Sequence, residues 1–204
     1  WCQVLPSFFD LNKITIDNRA VNGRSTRSFI NEKRWESVYK SLKKGDYVFI
    51  QFGHNDEVKS KVNSYTTPEE FTSNLKKYIG DAREKKMIPV LMTPVARRKF
   101  DAAGKIEQTH QEYSALVLKV AAEEKLLFID LDAQSMQLYQ QFGVENSKLL
   151  FCQLKPGEHP NYPDGKDDNT HFNELGARLI AQLVLKEIRT TIPDLLTYIT
   201  TKKP

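Results

Sequence analysis

Tyr47-Val48-Phe49-Ile50-Gln51-Phe52 is the stretch that decides the fold, because a short and almost continuously apolar run suits a strand buried on both faces. Gly45-Asp46 supplies a turn immediately before it. Two further apolar runs, Ile88–Met92 and Leu126–Leu131, predict strands of the same kind, and Ile14–Asn18 predicts a weaker one. Strands buried on both faces are typical of a parallel sheet covered by helices.

Segments with helical periodicity separate these runs. Pro68 opens one helix with acidic residues in its first turn, and apolar side chains then recur at three- and four-residue spacing. Tyr113–Val120 and Leu175–Ile188 show the same spacing. The segment Phe142–Phe172 has three prolines and little periodicity, which predicts a long loop that is either functional or disordered. The sequence therefore predicts an α/β fold with a parallel sheet, in one domain that spans residues 1–204.

Composition excludes several classes of protein. The 204 residues are 40% hydrophobic and 27% charged, which suits a folded domain with a core. The net charge of +4 is spread along the chain, so no basic block predicts binding to nucleic acid or to a membrane surface. No apolar run approaches the roughly 20 residues of a membrane span. Cys2 and Cys152 are too few for a disulfide scaffold or a cysteine-rich zinc site.

Polar residues follow the predicted strands, where open α/β sheets bind their ligands. An acyl-transfer site needs a base, a group that orients it and donors for the oxyanion. Asp168 and His171 are close enough in sequence for a carboxylate to contact an imidazole, and Gly23 and Asn55 offer N–H donors. Each residue also has a structural interpretation. Asn22-Gly23 suits a turn, Asn55 lies in a segment that suits an Asx-turn loop, and Asp168 suits the start of a helix.

Three segments carry a resemblance to a known family, namely Asn22-Gly23-Arg24-Ser25, Gly53-His54-Asn55-Asp56 and Asp168-Asn169-Thr170-His171. In that order they resemble blocks of the SGNH (GDSL-type) hydrolases, which have a flavodoxin-like three-layer fold. Further segments are similar to the rhamnogalacturonan acetylesterase branch, namely Trp1-Cys2-Gln3, Asn22–Phe29, Asp46–Asp56, Thr93–Arg98 and Asp168–Phe172. The resemblance implies that Gly23 and Asn55 are oxyanion donors, His171 the general base and Asp168 the residue that orients it.

The chain departs from the family at the nucleophile. The family's first block, Gly-Asp-Ser at the end of the first strand, does not occur in these 204 residues. We expect the block, with its strand, to lie upstream of Trp1, so that the domain is N-terminally truncated. A second chain that supplies the strand is the alternative. Ser25 as a substitute nucleophile is a further alternative. We expect little esterase activity from the 204 residues alone.

Candidate substrate-binding residues come from the same strand ends. Guanidinium groups suit the carboxylates of a pectic polysaccharide, and four arginines qualify, namely Arg24, Arg27, Arg97 and Arg98. Internal ion pairs are the structural alternative for these arginines. His54 is a candidate for contact with substrate or for a hydrogen bond within its own loop. Tyr162 is a candidate for stacking on a sugar face.

The resemblance therefore implies a carbohydrate O-acetylesterase that acts on acetylated rhamnogalacturonan without a metal or organic cofactor. His159, Asp168 and His171 match no compact metal-ligand spacing. The resemblance implies an exported protein whose partner is an acetylated polysaccharide, and we expect no nucleic acid or membrane partner. A non-catalytic saccharide-binding remnant and a lipase or lysophospholipase of the same fold remain as alternatives.

Overall fold

Three of the apolar runs form a parallel sheet in the computed structural model, which describes residues 1–200. Its strands are β1 (Tyr47–Gln51), β2 (Ile88–Met92) and β3 (Leu127–Ile129), in the order β1-β2-β3. Phe49 lies opposite Val90 in the register of β1 and β2. The prediction of three parallel strands is confirmed, with β1 and β3 shorter than predicted.

The residues group into two compact units. The sheet unit comprises Arg19–Val95 and His110–Asp132, and the hairpin unit comprises Trp1–Asn18, Ala96–Thr109 and residues 133–200. Four helices belong to the sheet unit, namely α1 (Thr26–Asn31), α2 (Arg34–Ser41), α3 (Pro68–Glu84) and α4 (Gln111–Glu123). The prediction of one domain over residues 1–204 stays a prediction.

One face of α3 carries much of the core of the sheet unit. Phe71, Leu75, Tyr78 and Ile79 follow the three- and four-residue spacing of a helical stripe, and each is at most 1% exposed. The Tyr78 hydroxyl keeps a polar partner in this core, because it donates to the Thr26 carbonyl over 2.8 Å. The α3 stripe thereby fixes the first residue of α1.

The hairpin unit contains most of α5 (Leu131–Asn146), followed by β4 (Phe151–Leu154), β5 (Lys166–Phe172) and α6 (Glu174–Thr191). β4 and β5 pair antiparallel, so together they form a β-hairpin. Phe151 of β4 contacts Phe172 of β5 with ring centroids 4.9 Å apart, and both lie beside Tyr139 of α5. This aromatic cluster anchors the end of β5.

Two predictions from the sequence are wrong. Ile14–Asn18 is not a strand, since residues 14–18 have no regular secondary structure and belong to neither sheet of the described chain. The segment Phe142–Phe172 is not one long loop. It contains the end of α5, a 3-10 helix at Ser147–Leu150 and the β4–β5 hairpin. The prolines that indicated a loop lie only in the connection between the two strands.

The observed elements confirm the predicted fold class, an α/β fold with a parallel sheet. None of the helices within residues 1–200 combines the length and the apolar character that crossing a membrane would require.

Candidate active site

Asp168 and His171 form a hydrogen-bonded pair on β5. The Asp168 Oδ2 atom lies 2.8 Å from Nδ1 of His171. The other carboxylate oxygen, Oδ1, accepts the backbone N–H groups of Thr170 and His171, each over 2.8 Å. The carboxylate therefore closes a tight segment, residues 168–171, and orients the imidazole at its end. Because Nδ1 faces the carboxylate, Nε2 is the ring nitrogen that remains for proton transfer.

Exposure differs sharply within the pair. The side chain of His171 is 61% exposed, whereas that of Asp168 is 11% exposed. Burial acts to raise the pKa of Asp168, but hydrogen bonds from the N–H groups of His171 and Thr170 and from the imidazole outweigh it, so the pKa falls to about 2. The orienting group is therefore an anion throughout the neutral range. Asp168 does not begin a helix, since α6 begins at Glu174 with Asn173 as its cap.

The low pKa of Asp168 predicts how stability depends on pH. The folded-state pKa of about 2 lies below the ordinary value of about 3.9 in an unfolded chain, so Asp168 stabilises the fold above that value. The contribution, about 2 kcal/mol at pH 7, is lost as the pH falls from about 4 through about 2. We expect Asp168→Asn to lower the free energy of unfolding at pH 7. We expect the difference in free energy of unfolding between this variant and the parent to be smaller at pH 3 than at pH 7 by about 1 kcal/mol.

Urea unfolding of both proteins at the two pH values measures this difference. Asp167→Asn is the matched control, because it removes the neighbouring and exposed carboxylate, and we expect little effect at either pH. The prediction would be contradicted if the free energies of unfolding of Asp168→Asn and the parent differed by the same amount at pH 7 and at pH 3.

The two predicted oxyanion donors lie together in the sheet unit. Asn55 Nδ2 donates to the backbone carbonyl of Arg24 over 3.2 Å, so the Asn55 amide contacts the turn that contains Gly23. Gly23 has a φ of +76°, which favours glycine, and a Cβ built there would have no atom of residues 1–200 within 4 Å. The space on the Cβ side of Gly23 is thus open among the described residues.

Asp56 holds these two segments in place, a role that the sequence analysis did not assign. It is fully buried, and its Oδ1 accepts the Thr26 N–H over 2.9 Å and the Thr26 hydroxyl over 2.5 Å. It also accepts the Gly53 N–H and the Thr66 hydroxyl. Burial raises the pKa of the Asp56 carboxyl, and these donors act in the opposite direction. Its place directly after Asn55 was the signal available in the sequence.

The candidate substrate-binding arginines differ in their environments. Arg24 pairs with Glu32, whose Oε2 lies 2.9 Å from the Arg24 Nε atom, and Arg27 pairs with Glu70. The backbone N–H of Arg97 donates to the hydroxyl of Thr109, and the Arg98 guanidinium lies among acceptors of the hairpin unit. For Arg24 and Arg27 the structure contains the ion pairs of the structural alternative.

The remaining candidates are aromatic. The His54 ring contacts the ring of His110 with centroids 4.3 Å apart, and His110 in turn bonds Glu57. Tyr162 lies in the connection between β4 and β5 and is 37% exposed. The Lys166 ammonium lies 4.7 Å from the Tyr162 ring centroid and 3.6 Å from the Asp168 carboxylate. One chain of contacts therefore connects Tyr162 to the Asp168–His171 pair.

Ser25 is poorly placed to be a nucleophile. It is fully buried, and its hydroxyl caps α1 by accepting the N–H of Ser28. Within residues 1–200, no group of three or more His, Cys, Asp or Glu side chains could hold a metal ion. In sum, Asp168 and His171 come together in the hairpin unit, and Gly23 and Asn55 come together in the sheet unit.

Comparisons with known proteins agree on the type of protein. The model of a family described as "GDSL-like Lipase/Acylhydrolase family" matches residues 1–179. The chain is 43% identical to the rhamnogalacturonan acetylesterase RhgT of Bacillus subtilis over 188 residues, which cover 92% of this chain and 79% of that protein. It is 35% identical over 190 residues to YesY of the same organism, a probable rhamnogalacturonan acetylesterase, with 93% and 82% covered.

A solved structure is similar over nearly the whole chain. The crystal structure of protein YxiM from Bacillus subtilis superimposes with a TM-score of 0.79 at 28% identity. The match covers 93% of this chain and 49% of that one, so this chain spans about half the length of YxiM.

Proposed function

Because the chain belongs to the GDSL-like lipase/acylhydrolase family, whose members are carboxylic ester hydrolases, we propose that it is a carbohydrate O-acetylesterase acting on a pectic polysaccharide of the rhamnogalacturonan type. The observation that carries the proposal is the Asp168–His171 pair, since a partly buried carboxylate that orients an exposed imidazole is the base arrangement of ester hydrolases. The names of RhgT and YesY support the choice of substrate.

The proposed reaction is a two-step acyl transfer. Nε2 of His171 takes the proton of a serine hydroxyl while the serine oxygen bonds the acetyl carbonyl carbon. The bond from that carbon to the sugar oxygen then breaks, and the sugar alcohol leaves with the proton. His171 then takes a proton from water, whose oxygen attacks the acyl carbon. The bond from that carbon to the serine oxygen breaks, the imidazolium returns the proton to the serine, and acetate leaves. Asp168 stabilises the imidazolium in both steps. Gly23 and Asn55 are the proposed donors to the oxyanion, and the reaction needs no cofactor.

We propose that the nucleophilic serine comes from outside the 204 residues, in a Gly-Asp-Ser block upstream of Trp1 or on a second chain. Two observations support this. No Gly-Asp-Ser occurs in the sequence, and the hydroxyl of Ser25 is buried and engaged in capping α1. Arg24, Arg97, His54 and Tyr162 are proposed contacts to the polysaccharide. Such polymers occur outside the cell, so export of the protein is part of the same proposal.

Acetate release from acetylated rhamnogalacturonan tests the function. We expect a form that carries the Gly-Asp-Ser block to release acetate, and the 204 residues alone to be slower by at least about 10³-fold. A long-chain fatty ester is the comparison substrate, and faster hydrolysis of it would favour the lipase alternative. Binding of the polysaccharide without acetate release by either form would favour the non-catalytic remnant. Fluorophosphonate labelling of a serine within the 204 residues would overturn the proposed origin of the nucleophile.

A further inference from the structure

The segment that carries the Asp168–His171 pair is bound by Arg98 at Asn169. Asn169 lies between Asp168 and the two residues whose N–H groups the Asp168 carboxylate accepts. Arg98 binds Asn169 twice: its backbone N–H donates to the Asn169 carbonyl over 2.9 Å, and its Nη1 donates to the Asn169 Oδ1 atom over 2.7 Å. The peptide that follows Asn169, and the Asn169 side chain, are therefore fixed from outside β5.

The guanidinium of Arg98 is itself fixed by two further acceptors. Nε donates to the hydroxyl of Ser147 over 2.8 Å, and Nη2 donates to the backbone carbonyl of Val144. Each of its three nitrogen atoms thus has an acceptor within the hairpin unit. A planar guanidinium bound at each of its three nitrogen atoms has a fixed orientation, and three of its five N–H groups are used within the protein.

A second side chain, on β4, holds the preceding peptide, between Asp168 and Asn169. Gln153 Nε2 donates to the carbonyl of Asp168 over 3.0 Å and lies 3.4 Å from Oδ1 of Asn169. Arg98 and Gln153 therefore converge on the amide oxygen of Asn169. Three hydrogen bonds that close the segment 168–171 depend on the backbone geometry that these contacts impose.

We propose that Arg98 is a positioning residue for the Asp168–His171 pair, holding Asn169 so that the Asp168 carboxylate meets the two N–H groups and the imidazole together. The catalytic meaning of this role rests on the proposed function, in which His171 is the base. Arg98 acts through Asn169 and does not contact the reacting atoms. This assignment replaces substrate binding as the role of this arginine.

NMR of the 204-residue chain tests the proposal without any esterase activity. The pKa of Asp168 is followed by ¹³C shifts of its carboxyl group, and the His171 tautomer by ¹⁵N shifts of the ring. We expect Arg98→Met to raise the pKa of Asp168 from about 2 to about 3, because the N–H donors move away from the carboxylate. We also expect a mixture of His171 tautomers instead of the single form with a proton on Nδ1.

Arg98→Lys separates geometry from charge. It keeps a cation near Glu145 and Asp167, the charged groups that act on Arg98, but it cannot bond Asn169, Ser147 and Val144 together. We expect Arg98→Lys to resemble Arg98→Met in both readouts. Asn169→Ala removes the side-chain acceptor and leaves the remaining bonds of Arg98 intact. It is the substitute test if an Arg98 variant does not fold, and we expect the same rise in the Asp168 pKa.

Arg27→Met is the matched control. It removes an arginine of similar exposure that pairs with Glu70 in the sheet unit, so a general loss of stability alone would appear in this variant too. We expect it to leave the Asp168 pKa and the His171 tautomer unchanged. The proposal is overturned if the Arg98 and Asn169 variants keep a pKa of about 2 and a single tautomer, or if Arg98→Lys behaves as the parent. Failure of the proposed function would instead appear as absent acetate release with these NMR results intact.

Discussion

His171→Gln is expected to lower the rate of acetyl-ester hydrolysis by about 10⁴-fold or more in the form of the protein that carries the Gly-Asp-Ser block. Glutamine retains hydrogen-bonding capacity and approximate size, but it cannot take a proton from the serine or from water. Because the His171 side chain is 61% exposed, the substitution should change the free energy of unfolding little. A large loss of rate with an intact fold therefore identifies a chemical role.

Steady-state kinetics on a small acetyl ester measure this effect, since a small ester does not depend on the polysaccharide contacts. Glu174→Gln is the matched control, because it removes the charge of an exposed residue at the start of α6, three positions after His171. We expect its kcat to stay within about two-fold of the parent. A His171→Gln variant within ten-fold of the parent would exclude His171 as the base.

Gly176→Ala is expected to destabilise the protein by more than about 3 kcal/mol. A Cβ at this position would lie 1.9 Å from the carbonyl oxygen of Leu150 and 2.8 Å from a ring carbon of Phe172. The first of these atoms belongs to the backbone, so the overlap is relieved only if α6 moves away from residues 149–151. Asn173 opposes that movement, because its Nδ2 donates to the carbonyls of Leu149 and Phe151.

Urea denaturation measures the loss, and a second glycine in a helix is the control. Gly80 lies in α3 on an exposed face, and a Cβ there would have no described atom within 4 Å. Gly80→Ala should therefore stabilise the protein by about 0.5–1 kcal/mol through the better helix propensity of alanine. Opposite signs for the two substitutions would confirm close packing at Gly176. A Gly176→Ala protein as stable as the parent would contradict it.

The two parts of the candidate site were predictable to different degrees. Gly23 and Asn55 were predicted from motifs, and the contact from Asn55 to the Gly23 turn agrees with that grouping. Asp168 and His171 were predicted as a pair, but the sequence left a capped helix open as an alternative. The structure decides between them because Asn173, not Asp168, caps α6.

Sequence alone determined the features that depend on local pattern. The apolar runs of β1, β2 and β3 and the helical stripe of α3 follow from periodicity, since burial selects side chains at the spacing of each element. The order of the motifs along the chain was likewise sufficient to identify the family.

Only the tertiary structure decided what depends on partners far apart in the chain. The β4–β5 hairpin replaced a predicted loop, because strand pairing and the contact of Phe151 with Phe172 outweigh a weak local pattern. Arg98 reaches Asn169 across 71 positions, and Gly176 packs on Leu150 from a different element. Periodicity and spacing report on neighbours along the chain, whereas these contacts exist only once the whole chain has packed.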